Sequence, residues 1–144
     1  MRQLLLSLSL PLMLLACTPE PQPIEYGADK CEFCRMTIVD LQHAAEVVTA
    51  KGRAYKFDAI ECQIHYLQEN KDTKFAFTLV NDYSKTTGEL HPAEDCTFLI
   101  SPNISSPMGA NLSAFLDAST AQEFQQEKEG KLYTWEEIQD QIKR

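Results

Sequence analysis

Residues 44–82, AAEVVTAKGRAYKFDAIECQIHYLQENKDTKFAFTLVND, run in the order strand, strand, helix, strand. Residues 44–50 contain Val47-Val48-Thr49, β-branched side chains that favour an extended backbone. Lys51-Gly52 turns the chain into a second strand, residues 53–57, so the two form a hairpin. Asp58 stands where an N-cap is expected, and Glu61 follows three residues later, the spacing of a capping box. In the helix predicted over residues 59–69, Ile60, Ile64 and Leu67 recur at four and three residues and form one apolar stripe. Asn70-Lys71-Asp72 ends it. Phe75, Phe77 and Leu79 then alternate with smaller or polar residues, which predicts a third strand ending near Asn81-Asp82.

Beyond residue 82 the same order comes round again. Strands are expected over residues 86–91 and, more strongly, 97–100. Residues 101–109 are turn-rich, with Pro102 and Pro107, and residues 110–116 fit strand and helix equally. Residues 119–128 predict a helix with Gly130 near its C-terminal cap. A short strand over residues 131–134 and a helix over residues 135–142 finish the chain. The expected fold is α+β, with antiparallel sheets and packed helices, as two ββαβ-type units. No sequence repeat accompanies the repeated order.

Toward the N-terminus the character of the chain changes. Residues 1–16 hold one charge, Arg2, followed by an uncharged run with eight leucines. That is the pattern of a secretory signal, and it is shorter than the ~20 apolar residues of a membrane span. Leu14-Leu15-Ala16-Cys17 resembles a bacterial lipobox, which implies that Cys17 is lipidated and becomes the mature N-terminus. Prolines 19, 21 and 23 make residues 17–28 an extended tether, leaving a domain over residues 29–144. Loss of Arg2 with the leader takes the net charge from −8 to −9. Such acidity argues against nucleic acid, which requires clustered Lys and Arg.

The chemistry-bearing residues are concentrated in sulfur. Asp29-Lys-Cys31-Glu-Phe-Cys34-Arg-Met36 puts three soft donors within six residues, and a C-x-x-C turn lets both thiolates face one ion. Thiolate and thioether ligands together select Cu(I). Met108, in a turn-forming Ser-Pro-Met-Gly context, is out of place as a core residue. Two other readings stay open. Cys62 and His65, at i and i+3 on the predicted helix, would complete a Cys₃His zinc site with Cys31 and Cys34. The four cysteines Cys31, Cys34, Cys62 and Cys96 could instead serve thiol–disulfide chemistry in an oxidising compartment. His43 and His91 have no comparable neighbours in sequence. Enzyme signatures such as G-x-S-x-G or H-E-x-x-H are lacking, so an enzyme is not expected.

Taken in order, the lipobox at Cys17, Cys34-Arg-Met36, the Phe57-Asp-Ala-Ile60 helix start, Leu79-Val-Asn-Asp82, Phe98-Leu-Ile100 and Pro107-Met108-Gly109 resemble the NosL family. The resemblance implies a lipoprotein accessory to nitrous oxide reductase, a periplasm-side Cu(I) chaperone, and a fold of two ββαβ units. It places the metal ligands at Cys34, Met36 and Met108, with Cys31 as a further ligand. Many members carry Gly where this chain has Arg35. The implied partners are a copper-receiving enzyme or its assembly machinery, and the membrane through the lipid anchor. Thr18 follows Cys17 where enteric inner-membrane lipoproteins carry Asp, so an outer-membrane, periplasm-facing location is expected.

Overall fold

In the computed structural model of the protein, residues 18–143 are described. The leader and Cys17 lie outside them. The hairpin forms as its sequence predicts: β1 (Ala45–Thr49) pairs antiparallel with β2 (Ala54–Phe57), with Ala45 opposite Phe57. Helix α1 (Ile60–Glu69) crosses back, and β3 (Phe75–Asn81) pairs antiparallel with the other edge of β1. A short β4 (Leu90–Pro92) adds to β3, giving the sheet order β2-β1-β3-β4.

The second unit repeats the first. Strand β5 (Thr97–Ile100) pairs with β6 (Leu112–Phe115), helix α2 (Ala118–Lys128) crosses over, and β7 (Lys131–Tyr133) pairs with the free edge of β5. The order β6-β5-β7 matches β2-β1-β3 strand for strand. Helix α3 (Trp135–Gln141) closes the chain. The ambiguous residues 110–116 are thus strand. The strand expected over residues 86–91 shrinks to Leu90–Pro92, because Gly88 turns with φ 71° beneath the Tyr26 ring. At the end of α2, Glu129 (φ 60°) and Gly130 (φ 114°) reverse the chain into β7, and a Cβ at Gly130 would strike the Ile100 carbonyl.

Both units share one core. Val47 and Val80 of the first sheet, Phe98 and Leu112 of the second, and Ile60, Ile64 and Ile138 from the helices pack together. Sheet alternation then sends Leu99 and Phe115 to the opposite face, against Ala121 and Phe124 of α2. Asp40, His43 and Ser113 join the units in a hydrogen-bonded chain: His43 Nδ1 lies 2.8 Å from the Asp40 carboxylate and Nε2 lies 3.1 Å from Ser113 Oγ. The order is that of a hydrolase triad, but Ser113 is fully buried and His43 nearly so. No substrate reaches that hydroxyl, and the histidine is structural.

The proline-rich segment sits on the domain. Ile24 and Tyr26 pack against the core, the Gln22 amide donates to Glu46, and Lys56 donates to the Pro23 carbonyl. The chain is therefore seated several residues before Asp29. Glu46 is fully buried on β1, and its second carboxyl oxygen has no partner. Burial raises its pKa, against the opposing Gln22 amide and Lys56 charge. A carboxyl with a raised folded-state pKa adds stability below its unfolded pKa and loses it as pH rises through the folded value. Glu46→Gln is therefore expected to raise the melting temperature at pH 7, with the gain fading as pH falls toward ~4.5, the unperturbed glutamate range. Thermal unfolding at both pH values checks this.

Candidate metal centre

The C-x-x-C segment is folded as a knuckle. The Cys31 amide donates to the Met36 carbonyl (2.8 Å), the Arg35 amide donates to the Cys31 carbonyl (3.0 Å), and Lys30 bridges Thr37. Arg35 makes the reversal in the left-handed region, at φ 68°. A residue without Cβ would adopt that conformation freely. The Glu32 amide donates to the Lys56 carbonyl and so pins the knuckle to the end of β2.

That anchoring brings Cys31 and Cys34 to the start of α1, where Asp58 and Cys62 wait. One ligand atom from each of Cys31, Cys34, Asp58 and Cys62 lies within 4.8 Å of all the others. Cys31 and Cys62 are buried, whereas Cys34 is half-buried. The Cys34 amide reaches Cys31 Sγ at 3.4 Å, the Cys34 thiol donates to Asp58 Oδ1 at 3.2 Å, and Cys62 Sγ lies within 4.8 Å of Cys31 Sγ.

These contacts set the three thiols apart in acidity. Donation from Cys62, with help from the Cys34 and Asp58 amides, outweighs burial and draws the Cys31 thiol down to about 7. Burial, together with its bond to Asp58, pushes Cys34 up to about 12. Cys62 is raised because its proton is held by Cys31 and anionic neighbours surround it. A cation bound by these sulfurs displaces thiol protons, which couples its binding to pH, acid favouring release.

Asp58 is the functional residue that sequence reasoning missed. It does not cap α1, whose N-cap is Ala59 with no side-chain bond. Glu61 does not complete a capping box either. Its Oε1 accepts from the Ser106 hydroxyl (2.5 Å) and the Ala110 amide (3.2 Å), so it ties the Met108 loop to α1. The D-x-x-E spacing is used for the site and its supports, while a true capping box forms at Thr134 and Glu137 of α3. The signal that could have found Asp58 is an acid four residues before a helical cysteine, opposite a C-x-x-C.

Met36 follows Cys34 by two residues in the knuckle, and Met108 lies on the loop that Glu61 ties to α1. Met36 is 48% exposed and Met108 is 43% exposed. Met108 lines a cleft of about 330 Å³ with Cys62 and His65. His65 is not among the four residues whose donor atoms converge. Cys96 stands apart, buried, with its thiol directed at the Pro92 carbonyl and pushed up to about 12 by that burial. All four described cysteines are free.

Fold and site together define a duplicated ββαβ domain with a thiol-rich cluster able to hold a metal ion at the junction of knuckle and helix. The NosL family model matches residues 23–143, and the chain belongs to that family. The match bears out the resemblance drawn from the ordered motifs and agrees with the expectation that the chain is not an enzyme. Among solved structures, the fold is similar to that of a protein described as the copper chaperone NosL from Shewanella denitrificans. The TM-score is 0.71 at 20% identity, over 83% of this chain and 95% of that one. No curated protein sequence matches the chain significantly.

Proposed function

We propose that the protein is a membrane-tethered, extracytoplasmic Cu(I) chaperone that delivers copper to a metalloenzyme, nitrous oxide reductase, during its maturation. The observation that carries this reading is the convergence of three thiols at one point, one of them open to solvent. Soft sulfur donors match Cu(I). Family membership and the likeness to a structure titled as a copper chaperone support the same metal. Cys31 and Cys62 supply buried sulfur, Cys34 a half-buried thiol, and Met36 and Met108 half-exposed thioethers. Two half-exposed methionines beside a thiol cluster suit a carrier. An incoming ligand can displace a thioether or the accessible Cys34 before the buried thiolates let go.

A second reading has one observation in its favour. Asp58 offers a hard oxygen as fourth donor, and Cys₃Asp is a donor set that tetrahedral Zn²⁺ accepts. A structural zinc site would be closed and retentive, whereas here the Cys34 side remains open.

Delivery tests the client. Copper-loaded protein mixed with metal-free nitrous oxide reductase is expected to lose its copper to the enzyme, and the Cys34→Ala variant is expected to transfer little. Retention of the metal by the loaded protein would contradict this client. The tether is tested at Cys17. Among the described residues, no helix is long and apolar enough to cross a membrane. Cys17→Ser is expected to abolish fatty-acid labelling and move the protein from the membrane fraction to the soluble one.

A further inference from the structure

We propose that Lys56 is a positioning residue that holds the C-x-x-C knuckle shut over the thiol cluster, with the proline-rich segment as its strap. Opening of this clasp sets the rate at which copper leaves, which rests on the reading of the chain as a Cu(I) carrier.

The cluster is assembled from two bodies. Cys31 and Cys34 ride on the knuckle, whereas Asp58 and Cys62 belong to the junction of β2 and α1. Cys31 is fully buried, so an incoming ligand reaches it only when the two bodies part. Lys56 joins them at two points. Its carbonyl accepts from the Glu32 amide at 2.8 Å, inside the knuckle. Its ammonium lies 2.6 Å from the Asp29 carboxylate, at the base of the knuckle. There the Ile38 amide donates to the Asp29 carbonyl at 2.9 Å and closes the loop.

The same ammonium donates to the Pro23 carbonyl at 2.7 Å. Directly across the hairpin, Glu46 is paired in register with Lys56 and accepts from the Gln22 amide at 2.8 Å. One cross-strand pair thus grips the segment at consecutive residues. The chain then turns. The Ala28 and Asp29 amides both donate to the Glu25 carbonyl, and the Glu25 amide donates back to Asp29 Oδ2 at 2.8 Å. The Asp29 carboxylate therefore ties strap and knuckle base to Lys56. The side chains of this ion pair are 20% and 28% exposed, so it can open while the core stays folded. Loss of the ammonium frees the base of the knuckle and leaves every metal donor in place.

The test compares Lys56→Met, which keeps the stem and removes the ammonium, with Lys56→Arg, which keeps the charge. In the metal-free, reduced protein, mass spectrometry reads the initial rate of Cys31 alkylation by iodoacetamide. Cys96, buried outside the cluster, is the internal reference. Lys56→Met is expected to speed alkylation of Cys31 about fivefold, the upper range for one partly exposed ion pair, and to leave Cys96 unchanged. The copper-loaded protein is then mixed with a chromogenic Cu(I) chelator in stopped flow. Lys56→Met is expected to surrender copper about fivefold faster, with the same copper stoichiometry and thiolate absorption. Lys56→Arg is expected to restore both rates. Unchanged rates in Lys56→Met overturn the proposal. So does equal acceleration at Cys96, which marks a general loosening of the fold. Faster Cys31 alkylation in a protein that binds no Cu(I) would leave the clasp standing and bring down the carrier reading alone.

Discussion

Cys34→Ala is expected to weaken binding of the first Cu(I) by about 100-fold or more. Loss of a mere outer-shell partner already costs metal sites roughly 10- to 100-fold, and Cys34 contributes a donor atom. A factor of 100 corresponds to about 2.7 kcal/mol. Cys34 is half-buried and donates to Asp58 at 3.2 Å, so its removal takes a hydrogen bond from Asp58 as well as opening the cluster. Cys96→Ala is the matched control. That thiol is directed at Pro92 and lies outside the cluster, so its loss is expected to leave affinity unchanged. Competition against a Cu(I) chelator measures both variants. Equal affinities for the two would refute the assignment of the site.

Phe57→Ala is expected to cost about 3–5 kcal/mol of folding stability, the range for truncating a buried aromatic side chain. That is a large part of the ~5–15 kcal/mol that a domain of this kind possesses. Phe57 is fully buried at the end of β2, opposite Ala45, and meets the Tyr66 ring at 5.3 Å. It also precedes Asp58 directly. Denaturant unfolding is expected to show a much lower midpoint, and copper affinity is expected to fall with it as Asp58 loses its seat. A loss below about 1 kcal/mol would show that the hairpin end is not held by this packing.

The first ββαβ unit was legible because its pattern is local. Alternation in β3, the Lys51-Gly52 turn and the Ile60/Ile64/Leu67 stripe each specify one element without help from distant residues. The second unit was harder to read. Residues 112–115 are buried along their whole length, so they show no alternation to tell strand from helix. Their state is set by pairing with β5, which is a long-range contact. The site divides in the same way. Cys31 and Cys34 announce themselves by spacing, because both lie in one knuckle. Cys62 was visible only as half of a C-x-x-H, and the structure brings it to the C-x-x-C with Asp58 rather than His65. The acid went unrecognised because its local context offers an ordinary role, helix capping. The sequence pattern of a cap and that of a ligand pair are the same here. Only the packing of the knuckle against β2 separates them.

This division also explains the competing metals. Sulfur at three of the four converging positions favours a soft ion, and one carboxylate oxygen leaves room for zinc. The bound protons on Cys34 and Cys62 bear on both metals alike, because either must displace them. What distinguishes them is retention. A carrier must bind its cargo tightly against dilution and still surrender it to an acceptor.

The most direct test of the central claim is an anaerobic Cu(I) titration of the reduced protein in the presence of equimolar Zn²⁺. The account predicts that the first equivalent of Cu(I) binds through thiolate sulfur, displaces any zinc, and passes on to an added acceptor. Stoichiometric zinc that Cu(I) does not displace, with unfolding when it is chelated, would contradict it.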